Sequence, residues 1–149
     1  MNENKRGRFV GYSLGALQIF IGLTAIAGGF GLVSDPSGTK MNIPLDWLRD
    51  SPFTNYFVPG LVLLIVNGVG NFFAGIATFL RNRYAGTMAV AFGTFLMLFI
   101  LIEVEFIGLR TLLQPLYLIL GLIELMLGLK LRKLVFTIPA LRRQAATKI

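Results

Sequence analysis

Three long stretches of this 149-residue chain contain no charged side chain, and they cover residues 9–34, 51–80 and 84–102. A fourth apolar stretch, residues 111–129, contains a single ionisable residue, Glu124. Lipid offers no hydrogen bonds to a bare backbone. An apolar run of about 20 residues is therefore typical of a transmembrane helix, which satisfies its own amides. The sequence predicts an all-α, polytopic membrane protein built as a bundle of four transmembrane helices.

We expect the four helices to form one transmembrane domain, because the segments between them are too short for a separate soluble domain. Ile43, Trp47 and Leu48 fall on one side of a short segment around Pro44, between the first two helices. This pattern predicts a short external helix at the membrane surface. The predicted bounds of the four helices are 9–33, 57–80, 84–106 and 112–131, followed by a basic tail at 132–149.

The start of the chain also has features of a secretory signal peptide. Lys5 and Arg6 precede an apolar run, and Ala25-Ile26-Ala27 has the spacing of a cleavage site. The apolar run of a signal peptide is normally about 7–15 residues long, however, and the run here is longer. This length, together with the glycines described below, favours an uncleaved first helix.

Basic residues outnumber acidic residues by 14 to 7, and their positions indicate an orientation. Eleven of the 14 lie before the first helix, between the second and third helices, or after the fourth helix. This asymmetry is the positive-inside pattern, and it predicts that both termini lie in the cytoplasm. We expect the basic face to contact anionic lipid of the bilayer, and we expect no nucleic-acid partner.

The chain contains no cysteine and no histidine. Those two residue types supply disulfides, thiolate nucleophiles, haem ligands and the usual zinc sites. The sequence therefore predicts a non-enzymatic protein without a metal or cofactor, in which any catalysis would depend on carboxylates, hydroxyls or amides.

Small residues recur on one face of each predicted helix. Such faces let two helix backbones approach closely in lipid, where apolar burial alone does not drive association. Ile21 lies about 100° from this face on the first helix, so we expect it to face lipid. The predicted packing glycines are Gly11, Gly15, Gly22 and Gly29 in the first helix, Gly75 in the second, Gly93 in the third, and Gly121 and Gly128 in the fourth.

Four polar side chains share the small-residue faces and are expected to point into the bundle: Gln18, Asn67, Asn71 and Glu124. Thr94 of the third helix lies at a similar depth. A charged carboxylate at this depth costs about 2.5–3.5 kcal/mol on insertion scales. We therefore expect Glu124 either to be neutral and hydrogen-bonded to Gln18 or Asn71, or to face a water-filled cavity. The first arrangement only holds helices together, whereas the second makes Glu124 a proton- or cation-coupling carboxylate.

The second and fourth predicted helices share two features. Each begins with a proline, Pro59 or Pro115, and each carries a polar residue eight or nine positions later, Asn67 or Glu124. This match is a weak indication of two tandem hairpins, an arrangement that some transporters build as a parallel repeat.

Turn residues mark the connection between the first two helices and the start of the fourth: Asp35-Pro36-Ser37-Gly38, Pro44, Leu48, Ser51-Pro52-Phe53, Tyr56, Pro59-Gly60, Leu113-Gln114-Pro115 and Tyr117. With these residues the chain resembles a group of short, uncharacterised bacterial four-helix integral membrane proteins. The resemblance implies four helices in a bacterial inner membrane, and it brings no catalytic residues with it.

Two functions are compatible with these features. The first is an accessory, assembly or structural component of the plasma membrane that self-associates or joins a larger membrane complex. The alternative is a minimal transporter or channel subunit that uses the intramembrane carboxylate Glu124. Replacing Glu124 with glutamine would inactivate a transporter, whereas an accessory protein would co-purify with a partner.

Overall fold

The computed structural model describes residues 3–146, and it describes the side chains of residues 5–134. The regular structure in this part of the chain is entirely helical, as the apolar runs predict. Each of the four long helices contains a segment that is long and apolar enough to cross a membrane. The helices are α1 (Glu3–Ser34), α2 (Phe57–Phe79), α3 (Ala85–Ile107) and α4 (Leu113–Ala146).

The bounds of α2 and α3 lie within one residue of the predicted bounds, whereas α1 and α4 are longer. α1 begins at Glu3 instead of residue 9, and α4 continues to Ala146 instead of ending at residue 131. Lysine, arginine and glutamate are good helix formers, so they limit the apolar span without ending the helix. The predicted tail is thus largely a continuation of α4, and its residues 147–149 lie outside the described part of the chain.

The helices form two antiparallel hairpins, one of α1 with α2 and the other of α3 with α4. Less extensive contacts of α1 with α4, and of α2 with α3, hold the two hairpins together. The bundle therefore has two ends. At the turn end, α1 begins and residues 80–84 join α2 to α3. The cap end carries the two other connections, residues 35–56 and residues 108–112.

Seven of the eight predicted packing glycines lie at contacts between helices. A Cβ atom added at Gly22 of α1 would lie 2.6 Å from the backbone nitrogen of Phe72 in α2. In the second hairpin, a Cβ added at Gly93 would lie 2.8 Å from the backbone nitrogen of Leu125. Any side chain at these two positions would push the helices apart. The other predicted packing glycines at such contacts are Gly15, Gly29, Gly75, Gly121 and Gly128.

Two positions on α1 differ from their predictions. Gly11 was expected to pack against a neighbouring helix, but a Cβ added there would have no neighbour within 4 Å. Ile21 was expected to face lipid, but it is fully buried in an apolar cluster with Leu96 and Ile100 of α3. Both predictions assumed that α1 contacts its neighbours only through its glycine face. α1 also contacts the second hairpin, which covers residues beside the glycine face.

Residues Leu63–Gly70 of α2 form a π-helix, and the rest of α2 is α-helical. Gly68 and Gly75 are seven residues apart, as contact glycines on α1 are, but Gly60 precedes Gly68 by eight residues. In a regular α-helix the additional residue would rotate Gly60 about 100° away from α1. The wider π turn absorbs that residue, and a Cβ added at Gly60 would lie 2.6 Å from the Cβ of Leu32.

Residues 35–56 fold over the cap end of the bundle and bury apolar side chains there. Leu48 and Tyr56 of this segment pack with Leu32 of α1, and Ile107 of α3 packs against the same cluster. Burial raises the pKa of the Tyr56 hydroxyl above its ordinary value. The long connection of the first hairpin therefore also contacts the second hairpin.

The short helix predicted within this segment is a 3-10 helix at Leu45–Leu48. The guanidinium carbon of Arg110, in the α3–α4 connection, lies 5.8 Å from the centre of the Trp47 ring. Ile43 packs against the apolar cluster of the cap end. The apolar side of the segment thus packs against the bundle itself.

Gln114 closes the short connection between α3 and α4, and its side chain is 2% exposed. Its Oε1 accepts hydrogen bonds from the backbone amides of Arg110, at 2.8 Å, and Thr111, at 3.3 Å. Its Nε2 donates to the carbonyl oxygen of Gly108, at 3.0 Å, and to the Glu103 carboxylate, at 3.2 Å. One buried amide side chain therefore satisfies two backbone amides and one carbonyl oxygen of this turn.

Candidate functional site

Gln18 lies at the centre of the polar interior, where it joins three helices. Its Nε2 donates a hydrogen bond of 3.1 Å to Oε1 of Glu124 in α4. Its Oε1 accepts a hydrogen bond of 2.7 Å from the hydroxyl of Thr78 in α2. All three side chains are buried. The close approach of α1 to α2 at the glycine face brings Gln18 within reach of Thr78.

Glu124 is fully buried, and one of its carboxylate oxygens is bonded to Gln18. Its second oxygen, Oε2, has no hydrogen-bond partner among the described residues. A buried carboxylate normally has partners for both oxygens, because its desolvation is costly. The described residues therefore provide a hydrogen bond to only one of the two carboxylate oxygens of Glu124.

Asn67 and Asn71 of α2 are also fully buried, and neither belongs to the Gln18 network. Among the described residues, the side-chain nitrogen and oxygen of both asparagines lack a hydrogen-bond partner. Leaving a buried polar group unsatisfied costs about 1–3 kcal/mol. Asn67 lies within the π-helix, a distortion that occurs frequently at functional sites. The interior of α2 thus carries hydrogen-bonding capacity that the described side chains leave unused.

A groove of about 200 Å³ opens at the turn end, between α1, the end of α2 and α4. Arg8 and Arg81 line this groove, and both guanidinium groups interact with the hydroxyl of Tyr12. Thr78 is also among the residues that line the groove. We call this feature the basic groove, and the residues that supply most of its apolar wall are Gly11, Phe79, Leu131 and Leu134.

Thr78 connects the basic groove to the bundle interior. Its residue lines the groove, and its hydroxyl donates to Gln18, which in turn donates to Glu124. The same hydroxyl also bonds the Ala74 carbonyl oxygen, at 2.8 Å, as helical threonines commonly do. A series of hydroxyl, amide and carboxylate groups therefore leads from the groove to Glu124. Such a series can hold helices together, and it can exchange a proton with the carboxylate if water enters.

The structure brings together part of the predicted polar cluster. Gln18 and Glu124 are hydrogen-bonded, whereas Asn67 and Asn71 are buried but separate from that bond. Thr94 is exposed on the outside of α3. Sequence reasoning did not single out Thr78 or the basic groove, since both result from the way α1, α2 and α4 meet. One usable signal was the spacing of Arg8 and Tyr12, which puts them on the same face of α1.

The Asp and Glu side chains of the described residues form no group of three or more that could hold a metal ion. Comparison of the chain with protein-family models, with curated proteins and with solved structures found no match. The polar interior and the basic groove are therefore the features of the molecule that bear on its function.

Proposed function

We propose that the chain is a multi-pass protein of the bacterial plasma membrane, which it crosses four times with the turn end in the cytoplasm. Large apolar side chains exposed on the outside of the bundle support insertion, because lipid would cover them and water would not. Examples are Phe20 and Phe30 of α1, Phe73 of α2, Leu98 of α3 and Ile119 of α4. The basic residues at the turn end support the orientation.

This topology can be tested with single cysteines, since the chain has none of its own. A cysteine at Ser37, at the cap end, should react in intact cells with a thiol reagent that does not cross membranes. A cysteine at Asn82, at the turn end, should react only after the cells are opened. Labelling of the Asn82 cysteine from outside would contradict the four-pass topology.

Within the membrane, we infer that the protein is a non-enzymatic accessory or assembly component that associates with itself or with a larger membrane complex. The observation that supports this role is the Gln18 side chain, which bonds both Thr78 of α2 and Glu124 of α4. The interior polar groups are used to join three helices, at about 0.6 kcal/mol for each interhelical hydrogen bond. A bundle whose polar groups serve packing is suited to a structural role.

The experiment for this role is cross-linking of the protein in its native membrane, followed by purification in mild detergent. Wild type and Glu124→Gln should be recovered in the same complex, because glutamine keeps the shape of the side chain and can still bond to Gln18. Recovery of both proteins only as a monomer, with or without cross-linking, would contradict the assembly role.

A second function, a minimal transporter or channel subunit, is favoured by one specific observation. Glu124 has an unpaired carboxylate oxygen, and the Thr78–Gln18 pair connects this carboxylate to the basic groove. Ionisable residues inside transmembrane bundles frequently mark ion or proton pathways. In this proposal Glu124 binds the coupled proton or cation, and Asn71 and Gln18 line the path.

The transporter proposal predicts proton or cation flux in proteoliposomes that contain the purified protein. Glu124→Gln should abolish this flux while leaving the protein folded. Glu103→Gln provides a matched control, because it makes the same change at a half-buried carboxylate of the cap end. Absence of flux in the wild type would exclude this function, and equal loss in the two variants would show that Glu124 is not the coupling residue.

A further inference from the structure

We propose that the basic groove is a binding site for the headgroup of an anionic phospholipid, with the phosphate between Arg8 and Arg81 and an acyl chain against Phe79 and Leu134. The proposal extends the proposed membrane insertion and depends on it. Four features of the groove support this occupant: its charge, its apolar wall, the open space at Gly11 and the backbone conformation of Arg81.

The charge of the groove matches an anionic ligand. Arg8 and Arg81 both line the groove, together with Tyr12. Neither forms an ion pair with a carboxylate among the described side chains, where the recorded pair joins Arg49 to Asp46. Two arginines without a carboxylate partner form a site to which a phosphate can bind with charge-assisted hydrogen bonds.

The remainder of the groove matches the acyl part of a lipid. Leu131, Leu134 and Phe79 form its wall. Phe9 follows the lining residue Arg8 in the chain and is 68% exposed, and Leu80 lies between the lining residues Phe79 and Arg81 and is 77% exposed. A small soluble anion would use only the arginines. A phospholipid at the membrane surface uses the arginines and the apolar wall together.

The space at Gly11 is kept open although the residue lies on the packing face of α1. Gly15 and Gly22 contact α2 closely, whereas a Cβ added at Gly11 would have no atom within 4 Å. Helix packing therefore does not explain the small residue at this position. A glycine that widens the groove does explain it, because a larger side chain would occupy the volume where we place the ligand.

The backbone conformation of Arg81 indicates independently that its side chain has a role at this position. Its φ of 55° lies in the left-handed region, where a helix C-terminus usually has glycine. The Arg81 amide bonds the Thr78 carbonyl oxygen and the Asn82 amide bonds that of Ala77, which is the hydrogen-bond pattern of a Schellman motif. An arginine in this conformation carries strain that a glycine would relieve. The guanidinium group therefore occupies a position where the fold alone favours glycine.

The test measures which phospholipid stays bound to the purified protein. The protein is incubated in detergent with an equimolar mixture of phosphatidylglycerol and phosphatidylcholine, and the retained lipid is identified by native mass spectrometry. Wild type should retain phosphatidylglycerol preferentially. Arg81→Gly should reduce its retention about five-fold, which corresponds to about 1 kcal/mol per basic residue near the surface. Because glycine suits the backbone at this position, the variant should fold at least as well as wild type.

Two further variants separate the groove from general surface charge. Gly11→Leu keeps both arginines but fills the groove, and it should also reduce retention of phosphatidylglycerol. Arg83→Ala removes one charge from the same turn, where the Arg83 guanidinium stacks on the Tyr84 ring outside the groove. This control should retain the lipid like wild type. Equal losses in Arg83→Ala and Arg81→Gly would overturn the proposal, as would full retention in Gly11→Leu.

Competition with free glycerol phosphate distinguishes a lipid ligand from a soluble phosphate ligand. Displacement of phosphatidylglycerol by millimolar glycerol phosphate would overturn it in favour of a soluble phosphate ligand. Liposome flotation after alkaline extraction tests membrane insertion by a separate readout. Protein that floats but shows no preference for phosphatidylglycerol would overturn the groove proposal alone, and protein that does not float would overturn the membrane proposal too.

Discussion

The first hairpin, α1–α2, and the second hairpin, α3–α4, pack their helices in the same register. A Cβ added at Gly22 would contact the Phe72 nitrogen and the Gly68 carbonyl oxygen. A Cβ added at Gly93 would contact the Leu125 nitrogen and the Gly121 carbonyl oxygen in the same way. The corresponding pairs are Gly15 with Gly86, Gly22 with Gly93, Gly68 with Gly121, and Gly75 with Gly128. The two hairpins are thus equivalent at their closest contacts.

The polar residues do not follow this equivalence. Asn71 and Glu124 correspond, because each follows the equivalent glycine by three residues. Gln18 corresponds in the same way to Ala89 of α3. Glu124 is bonded to Gln18, whereas Asn71 has no partner among the described residues. An alanine at the position equivalent to Gln18 accounts for this difference, because alanine offers Asn71 nothing to bond.

The sequence therefore contains features that the two hairpins share and features that only one of them has. The repeated glycines specify how a hairpin packs, and they are found in both halves. Within the described part of the chain, three features occur once each: the polar series of Thr78, Gln18 and Glu124, the π-helix, and the long connection at residues 35–56. The shared part has the arrangement of two tandem hairpins, with which the prolines near the starts of α2 and α4 also agree. The features that differ are the candidates for function.

The largest expected effect is on the shared packing. Gly22→Ala and Gly93→Ala should each destabilise the protein by about 1–3 kcal/mol, because the added Cβ would meet backbone atoms that cannot rotate away. Thermal unfolding in detergent measures the loss. Gly11→Ala, with open space around its Cβ, should be tolerated. A large loss in only one hairpin would disprove the equivalence of their contacts.

The second prediction concerns the residues that differ between the hairpins. Gln18→Leu should destabilise the protein by about 1–3 kcal/mol, because it leaves Glu124 and Thr78 without their shared buried partner. Asn71→Leu should be neutral or stabilising, since the asparagine it removes has no partner to lose among the described residues. The measurement is again thermal unfolding in detergent. If Asn71→Leu costs as much as Gln18→Leu, then Asn71 has a partner in the native protein that these side chains do not provide.

The four long helices were largely predictable from the sequence, because each coincides with a long apolar run. The apolar stretches located all four helices, and seven of the eight glycines predicted from their spacing lie at contacts between helices. Ile21 was misplaced because periodicity within one helix cannot show how many neighbours the helix has. The π-helix was missed for a related reason: only the position of α1 shows that Gly60 must stay on the contact face.

The candidate site was only partly predictable. Gln18 and Glu124 lie on small-residue faces at depths that differ by about one helical turn, and their hydrogen bond is one of the two that the sequence left open for Glu124. The separation of Asn71 from this bond depends on which helix lies opposite α2, and no single helix contains that information. The basic groove depends on three helix ends that meet at the turn end, and residues far apart in the chain form it.

The third prediction compares the two connections at the cap end. Gln114→Leu should destabilise the short connection by about 1–3 kcal/mol, because two backbone amides and the Gly108 carbonyl oxygen lose their buried partner. Tyr56→Phe keeps the apolar ring of the long connection and removes one hydrogen bond to Pro44, so it should cost about 0.5–1.5 kcal/mol. Hydrogen exchange at the cap end reports both changes. A larger loss of protection in Tyr56→Phe than in Gln114→Leu would show that the long connection contributes more to the stability of the cap end.

The smallest expected effect is the pH dependence of the long connection, which depends on Asp35. The Ser37 hydroxyl and the Lys40 backbone amide donate hydrogen bonds to this carboxylate, and they lower its pKa below the ordinary value. A lowered pKa in the folded state means that the contribution to stability is complete above the ordinary pKa of about 4 and disappears as the pH falls through the folded value. The protection of the Lys40 amide against hydrogen exchange should therefore stay constant between pH 7 and 5, and it should decrease below about pH 4. Asp35→Asn should show weaker protection at pH 7 and no such decrease, and an identical decrease in this variant would assign the transition to another group.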